Sequence, residues 1–393
     1  MIRFDAVTKT YPDGTVAVNA LSLEAATGET TVLIGPSGCG KTTSLRMVNR
    51  MVEPTSGRVW LDDRDTATIA PHDLRRGIGY VIQQAGLFPH RTVLDNIATV
   101  PVLTGRTRRQ ARSRAAELLE LVGLSADLAG RYPGQLSGGQ QQRVGVARAL
   151  AADPPVLLMD EPFSALDPVV REQLQNEFVR LQHDLGKTIV FVTHDIDEAV
   201  KLGDKVAVLA TGGTLAQVDG PAELLSRPAS PFVASFLGRD RGYRALTFAG
   251  AGPLPLTDEP TVRLGDPVSL ARERQSDGWV LVLDDHDTPR GWVAPALLTA
   301  RQATCTLTPD MVNPGGTLAT AHGTLREALD AALSSPSGRG VIVHENGRLA
   351  GTITASQVLS RVESRATRLR TAELRLAATT DTTASKASNA SKA

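Results

Sequence analysis

The chain has 393 residues, with 42 Lys plus Arg against 42 Asp plus Glu, so its formal net charge is zero. This length allows two or three domains, and a neutral chain argues against a nucleic-acid partner, because such proteins usually carry a basic excess. Two cysteines, Cys39 and Cys305, are too few for a disulfide framework and indicate thiols in a reducing compartment. We find no apolar run near the ~18 residues of a membrane-spanning helix and no signal-peptide pattern. If the protein serves a membrane, another chain must cross it.

Residues 1–238 alternate strand-like and helix-like patterns, which is typical of an α/β domain. Two short apolar runs, 156–159 and 189–192, predict strands buried on both faces of a parallel sheet. Residues 205–218 predict a hairpin around Gly212 and Gly213. Pro221 then suits the first position of a short helix.

A glycine-rich segment after the apolar strand 31–34 fits the pattern G-x-x-x-x-G-K-[ST] of a phosphate-binding loop. Its glycines let backbone N–H groups surround phosphate oxygens, and the next helix directs its N-terminus at them. Lys41 is expected to reach the β- and γ-phosphates of ATP, and the Thr42 hydroxyl to bind Mg²⁺. The predicted nucleotide-binding residues here are Gly35, Pro36, Ser37, Gly38, Cys39, Gly40, Lys41, Thr42 and Thr43.

Polar clusters follow the two buried strands, at the sheet edge where α/β proteins bind ligands. Asp160 ends the first strand and is predicted to hold Mg²⁺, as the second carboxylate site of phosphate-loop enzymes does. Glu161 comes next, where a carboxylate can orient or deprotonate the water that attacks the γ-phosphate. Thr193, His194 and Asp195 follow the second strand.

A second motif, residues 136–140, lies between the phosphate-binding loop and Asp160 and is followed by Gln141-Gln142-Arg143. Its serine can cap a helix, while its glycines leave the backbone open to an anion. Together these residues resemble the ABC ATPase family over about 238 residues, and this motif is similar to the family's signature sequence. The signature residues are Leu136, Ser137, Gly138, Gly139 and Gln140.

The resemblance assigns further roles in chain order. Tyr11 stands where the family stacks an aromatic ring on adenine, and Gln83 where a glutamine meets Mg²⁺ and the attacking water. His194 stands where a histidine contacts the γ-phosphate. The catalytic residues implied are therefore Glu161, His194 and Gln83, and the metal site is Thr42, Gln83 and Asp160. The loop that crosses the dimer interface in the family is matched by Ser164, Ala165, Leu166 and Asp167.

In the family, the signature of one subunit closes over the nucleotide on the other, which implies a homodimer with two ATP. The segment with Pro89, His90 and Asn96 lies where the family meets transmembrane permease subunits. A DNA-repair or chromosome-organising ATPase would carry a long coiled coil between the two motifs, which are here fewer than 100 residues apart. A ribosome-associated relative would carry two ATPase cassettes. A transporter subunit on the cytoplasmic face of the membrane fits best.

Residues 239–257, rich in Gly, Arg and Pro, are predicted to be a linker, and residues 258–362 a second unit with an internal repeat. This unit resembles a tandem pair of CBS domains, which commonly bind adenine nucleotides. In the second repeat Thr354 matches the pattern with which the family binds ribose and phosphate, but Gln357 stands where that pattern has an aspartate. In the first repeat Leu297 cannot hydrogen-bond a ribose. The alternatives are a regulatory nucleotide site and a dimerisation or ionic-strength-responsive module.

The sequences at 81–90 and 220–244 resemble the osmoprotectant branch of importer ATPases. This branch imports glycine betaine, choline, carnitine or proline-like solutes, which a solute-binding protein delivers to the permease. Residues 363–393 have too few large apolar side chains to offset ordering entropy, so we predict a disordered tail.

Overall fold

The computed structural model describes residues 1–83, 86–164, 166–299 and 305–364. The chain divides into two compact units, Met1–Arg241 and Gly242–Ala393. Within the described ranges, no helix is long and apolar enough to cross a membrane.

The first unit contains an antiparallel sheet and a larger, mainly parallel sheet. The antiparallel sheet has the strand order β2-β1-β4-β5, with β1 Ile2–Thr10, β2 Val16–Ala25, β4 Ser56–Leu61 and β5 Arg64–Asp65. The larger sheet has the order β10-β9-β3-β8-β7-β6, with β3 Thr30–Ile34, β6 Ile78–Val81, β7 Val156–Asp160, β8 Thr188–Val192, β9 Lys205–Ala210 and β10 Thr214–Asp219. The helices are α1 Lys41–Val48, α2 Pro71–Arg76, α3 Val93–Leu103, α4 Arg108–Leu121, α5 Gly138–Leu150, α6 Pro168–Leu185, α7 Ile196–Leu202, α8 Pro221–Ser226 and α9 Pro231–Leu237.

The central strands of the larger sheet are buried on both faces, which confirms the prediction from the apolar runs. All residues of β3, β7 and β8 are buried. Successive side chains of a strand point to opposite faces. Accordingly Leu157 and Met159 pack in the core on one side, and Leu158 packs in the core on the other. β9 and β10 form the predicted hairpin, and α8 begins at Pro221.

The second unit contains two β-α-β-β repeats. In each, the first two strands pair in parallel and the last two pair antiparallel. The first repeat is β11 Thr261–Arg263, α11 Val268–Arg274, β12 Val280–Leu283 and β13 Pro289–Val293; the second is β14 Leu318–Thr320, α12 Leu325–Ser334, β15 Arg339–Val343 and β16 Leu349–Thr354, followed by helical residues 355–364. The sequence predicted an internal repeat in this unit, but not the strand and helix with which each copy begins.

Most of the segment assigned to a linker belongs to the second unit. A short helix, α10 Arg241–Ala245, lies at the division. Tyr243, Leu246, Leu254 and Leu256 pack against the core of the second unit, and Thr257 pairs with Thr352 of β16. The glycines and prolines that suggested a linker therefore lie in ordered, packed backbone.

A buried ion pair joins the two repeats. Glu259 precedes β11 and its side chain is 3% exposed, while Arg339 opens β15, with an N···O distance of 3.3 Å between them. Arg339 also lies over the Trp292 ring. Burial raises the pKa of Glu259, and the charge of Arg339 opposes that rise. Removing one partner of a buried pair leaves an uncompensated charge.

We expect Arg339→Met to destabilise the second unit by about 3–5 kcal/mol at neutral pH. Without Arg339 the pKa of Glu259 in the folded state rises further above its ordinary 4.5, so the loss should grow as the pH rises and shrink when the carboxyl is protonated. Urea unfolding followed by tryptophan fluorescence at several pH values measures this. Arg290→Met, which breaks the more exposed pair with Asp284, is the control and should cost less than about 1 kcal/mol. A loss that did not change with pH would contradict the assignment to Glu259.

Candidate nucleotide-binding site

The loop between β3 and α1 has a backbone that requires glycine at two positions. Gly35 has φ +150°, and a Cβ there would lie 2.3 Å from the Leu209 carbonyl oxygen. Gly40 has φ +90°, and a Cβ there would lie 2.1 Å from the Ala17 carbonyl oxygen. α1 starts at the next residue, so its N-terminus is directed into the loop, as an anion site requires.

Lys41 lies inside this loop. Its side chain is buried, and its Nζ donates hydrogen bonds to the carbonyl oxygens of Gly35 at 2.8 Å and Pro36 at 3.1 Å. These bonds hold the ammonium group at the centre of the predicted phosphate cradle. The structure therefore places the Lys41 ammonium group against the backbone of the loop.

Cys39 lies in the same loop. Its side chain is fully buried, and its Sγ lies 3.7 Å from Lys41 Nζ. Burial raises the pKa of this thiol, and Lys41 only partly opposes that rise. A thiol with a raised pKa has a smaller reactive thiolate fraction at a given pH.

We therefore expect iodoacetamide at pH 8 to modify the exposed Cys305 and to leave Cys39 intact until the chain is unfolded. Peptide mass spectrometry before and after addition of urea measures this. Rapid modification of Cys39 in the folded chain would contradict the packing of the loop.

The predicted Mg²⁺ residues Thr42 and Asp160 meet where β7 ends beside α1. The Thr42 hydroxyl donates to Asp160 Oδ1 at 2.8 Å, and Asp160 is 5% exposed. Burial raises the pKa of Asp160, and the bond from Thr42 and the charges of Arg46 and Lys41 oppose that rise. A hydroxyl and a carboxylate side by side form the hard oxygen donor set that Mg²⁺ prefers.

The three predicted catalytic residues lie together, because Gln83 and His194 both contact one carboxylate oxygen of Glu161. Glu161 Oε2 accepts a hydrogen bond from Gln83 Nε2 at 3.1 Å and lies 3.2 Å from His194 Nδ1. Glu161 adopts φ +47°, and its N–H donates to the Val192 carbonyl oxygen. This turn directs the carboxylate away from the strand and toward the end of the neighbouring β8, where His194 follows.

The signature residues start α5. Ser137 caps the helix by accepting from the Gln140 N–H at 3.3 Å, while the Gln140 side chain accepts from the Ser137 N–H at 2.9 Å. Gly138 and Gly139 form the first helical turn. A cleft of about 570 Å³ lies here, and Leu166 and Asp167 of the predicted interface loop also line it. No residue of the phosphate-binding loop lines it.

Tyr11 lies in the turn between β1 and β2 and is 37% exposed. The Lys9 ammonium lies 5.3 Å from the centre of its ring. Ala17, further along the same hairpin, contacts Gly40, so Tyr11 belongs to the part of the antiparallel sheet that adjoins the loop.

Asn96 is not at a surface, although the sequence placed it in a permease-facing segment. It is fully buried on α3, accepts from the Phe88 N–H and donates to the carbonyl oxygens of Phe88, Arg91 and Thr92. It thereby shapes the preceding loop, whose Phe88 is 40% exposed. Phe88, and not Asn96, is available to a partner.

The two polar residues singled out in the second repeat are used within the chain. Thr354 accepts from the Gln357 N–H, and Gln357 Oε1 accepts from the Thr354 N–H at 2.8 Å, which forms a helix cap. Gln357 Nε2 also donates to the Pro255 carbonyl oxygen. Ala165 of the interface loop, Gln84 of the osmoprotectant stretch and residues 365–393 of the predicted tail lie outside the described residues.

Sequence reasoning missed the buried Glu198 on α7, which lies four residues after His194. The available signal was an acidic residue on the apolar face of a helix that follows a catalytic strand. Its hydrogen-bond partner Gln175 lies on α6 and could not be recognised without the fold.

The phosphate-binding loop, the Thr42–Asp160 pair and the Glu161 cluster at the edge of a parallel sheet define a P-loop nucleoside triphosphatase. The sequence profile described as ABC transporter matches residues 18–164. The glycine betaine/carnitine/choline transport ATP-binding protein OpuCA of Bacillus subtilis is 41% identical over 369 residues, which cover 92% of this chain and 96% of that protein. The glycine betaine uptake system ATP-binding protein YehX of Escherichia coli is 52% identical over 63% of this chain and 80% of that protein.

Among solved structures, the dimeric post-hydrolysis state of the ATP-binding cassette MJ0796 bound to ADP and Pi is 35% identical, with a TM-score of 0.53. The match covers 56% of this chain and 99% of the MJ0796 chain. The chain belongs to the family of ABC transporter ATP-binding proteins. It is therefore an ATPase, and the residues that the ABC transporter profile matches lie within the first unit.

Proposed function

We propose that this chain is the ATP-hydrolysing subunit of an importer for glycine betaine or a related quaternary amine osmoprotectant. The observation that carries the proposal is the extent of the similarity to the Bacillus subtilis protein, which spans 92% of the chain. The MJ0796 cassette matches 56% of the chain. The likeness to the osmoprotectant protein thus reaches well into the second unit. The alternative is an importer ATPase for another small solute, or an ABC ATPase outside transport.

In the proposed mechanism, the loop residues 35–43 bind the phosphates of ATP through backbone N–H groups and Lys41. Thr42, Asp160 and Gln83 would hold Mg²⁺, which supplies charge neutralisation at the transferred phosphoryl group. Glu161 orients the attacking water or accepts its proton. Gln83 and His194 both contact Oε2 of Glu161 and hold that oxygen in position.

We further propose that two copies form a homodimer in which Ser137 and Gly138 of one chain contact the nucleotide held by the other. The N-terminus of α5 supports this, because its backbone N–H groups and helix dipole favour an anion. The cleft at the signature supports it as well, because signature residues line it and no residue of the phosphate-binding loop of the same chain does.

The partners proposed are transmembrane permease subunits at the cytoplasmic face of the cell membrane, with a solute-binding protein acting through them. We propose that the second unit is a regulatory pair of CBS-like domains, which the two β-α-β-β repeats support. The cap formed by Thr354 and Gln357 favours the dimerisation or ionic-strength-responsive alternative over a nucleotide site that uses these side chains. Calorimetric titration of the full chain with adenine nucleotides, including cyclic di-AMP, separates the two.

Uptake of labelled glycine betaine at high osmolarity tests the substrate. We expect deletion of the gene in its host to lower uptake, and the wild-type gene to restore it. A gene carrying Glu161→Gln, with equal protein abundance, should not restore uptake. Unchanged betaine uptake in the deletion strain, together with loss of uptake of another solute, would refute the osmoprotectant assignment while leaving the ATPase assignment intact.

A further inference from the structure

Gln83 lies just beyond the end of a strand, outside the hydrogen bonds of the sheet. β6 ends at Val81, which pairs with Met159 of β7, and this is the last pair between the two strands. Gln83 lies two residues after Val81, and Glu161 lies two residues after Met159. The Gln83 amide still donates to Glu161 Oε2 at 3.1 Å. Since strand pairing has ended there, other contacts must fix the backbone that carries Gln83.

Two side chains of α5 donate hydrogen bonds to backbone carbonyl groups on either side of Gln83. Arg148 Nη1 donates to the Gly86 carbonyl oxygen at 2.8 Å. Gln142 Nε2 donates to the Ile82 carbonyl oxygen at 3.4 Å. A hydrogen bond from a charged donor is shorter and stronger than one between neutral groups, so Arg148 supplies the stronger of the two contacts.

Both donors are polar groups within the packing of α5. Gln142 is 5% exposed, and Arg148 is half-buried, so that burial lowers the pKa of its guanidinium. Burying an amide or a guanidinium is unfavourable unless hydrogen bonds compensate for the lost water. α5 already packs into the core through apolar residues such as Val144 and Ala147. The packing of the helix therefore does not account for these two polar side chains, whereas their bonds to the backbone around Gln83 do.

We propose that Arg148 is a positioning residue, assisted by Gln142, which holds the backbone on both sides of Gln83 and so keeps the Gln83 amide against Oε2 of Glu161. The inference deepens the proposed mechanism and rests on the role given there to Gln83. Arg148 acts through the backbone and not on the reacting atoms.

The test is a double-mutant cycle between Arg148→Met and Gln83→Ala, measured as hydrolysis of Mg²⁺-ATP by the full-length chain. We expect Arg148→Met to lower kcat about tenfold with little change in the KM for ATP, because ATP binding depends on the phosphate-binding loop. In the Gln83→Ala background, Arg148→Met should lower kcat by less than about twofold further, since the group that it positions is already absent.

Gln142→Met provides a second variant that nearly preserves the volume of the buried side chain. Because the bond from Gln142 is longer and uncharged, we expect a smaller loss of kcat, about threefold, and again little further loss in the Gln83→Ala background. Arg75→Met is the matched control. Arg75 of α2 also donates to backbone carbonyl groups, those of Asn49 and Arg50 at the end of α1. This change should lower the melting temperature but leave kcat within about twofold of the wild type.

The outcomes separate positioning from a general effect on the fold. If Arg148→Met lowers kcat equally in the wild-type and Gln83→Ala backgrounds, Arg148 acts independently of Gln83 and the inference is overturned. Unchanged kcat in both Arg148→Met and Gln142→Met would overturn it as well. Full activity of Gln83→Ala alone would refute the catalytic role proposed for Gln83, and with it this inference.

Discussion

Replacing Glu161 with Gln is expected to lower the rate of ATP hydrolysis by about 10²–10⁴-fold, because an amide cannot accept the proton of the attacking water. The substitution keeps the shape of the side chain, and the new amide can still contact Gln83 or His194 through one of its ends. Binding of ATP depends on the loop around Lys41 and should persist. Since ATP would be bound and not hydrolysed, we expect the variant to remain a dimer in the presence of ATP.

The measurement is hydrolysis of Mg²⁺-ATP over a range of protein concentrations, with size-exclusion chromatography in ATP. Wild-type activity should rise more steeply than linearly with concentration until dimers saturate. The Glu172→Gln variant, which removes an exposed carboxylate of α6, should behave as the wild type does. Full activity in Glu161→Gln would mean that another group activates the water, and activity linear in concentration would argue against a composite site.

The second large effect is expected when two inactive variants are mixed. Lys41→Met removes the ammonium group from the phosphate loop, and Gly138→Asp places a negative charge at the N-terminus of α5. A Cβ at Gly138 would meet no atom within 4 Å, so the fold should tolerate this change. Each variant alone should lose at least about 100-fold in activity, because each removes an electrostatic contact to the phosphates.

An equal mixture of the two variants is expected to recover about a quarter of wild-type activity. Half of the dimers formed at random are mixed, and in each of these one of the two sites combines an intact phosphate loop with an intact signature. The control is a mixture of Lys41→Met with Glu161→Gln. This mixture should recover no activity, because both substitutions lie in the same half of the composite site. Thr42, next to Lys41, bonds to Asp160, next to Glu161, within one chain, so every site of a mixed dimer carries one of the two substitutions. Absence of recovery in the first mixture would show that loop and signature act within one chain.

The motifs of the ATPase domain could be recognised from the sequence because they encode local backbone geometry. Gly35 and Gly40 adopt positive φ angles that favour glycine, and each leaves no room for a Cβ. Ser137 and Gln140 form a helix cap within four residues. The apolar runs at β7 and β8 predicted a buried parallel sheet, and the Asp160-Glu161 pair had to lie at its edge. These properties depend on neighbours close in the chain.

The convergence of Gln83, Glu161 and His194 on one oxygen depended on packing. The sequence named the three residues through a family resemblance, but only the pairing of β7 with β6 and with β8 brings segments separated by 30 to 80 positions within hydrogen-bonding distance. The same holds for Glu198, whose hydrogen-bond partner Gln175 on α6 lies more than 20 positions earlier in the chain. Long-range contacts of this kind follow from the arrangement of whole elements, which a local pattern does not specify.

Composition and motif spacing by themselves determined the α/β class, the phosphate loop and the repeat in the second unit, whereas the signature was identified through the family resemblance. The tertiary structure alone showed that Asn96 shapes a loop from inside the core, that Thr354 and Gln357 cap a helix, and that residues 243–257 pack into the second unit. Polar side chains and Gly/Pro-rich segments are chemically suited to several roles. Which role each one takes depends on whether its surroundings in the fold provide water, a backbone partner or an apolar surface.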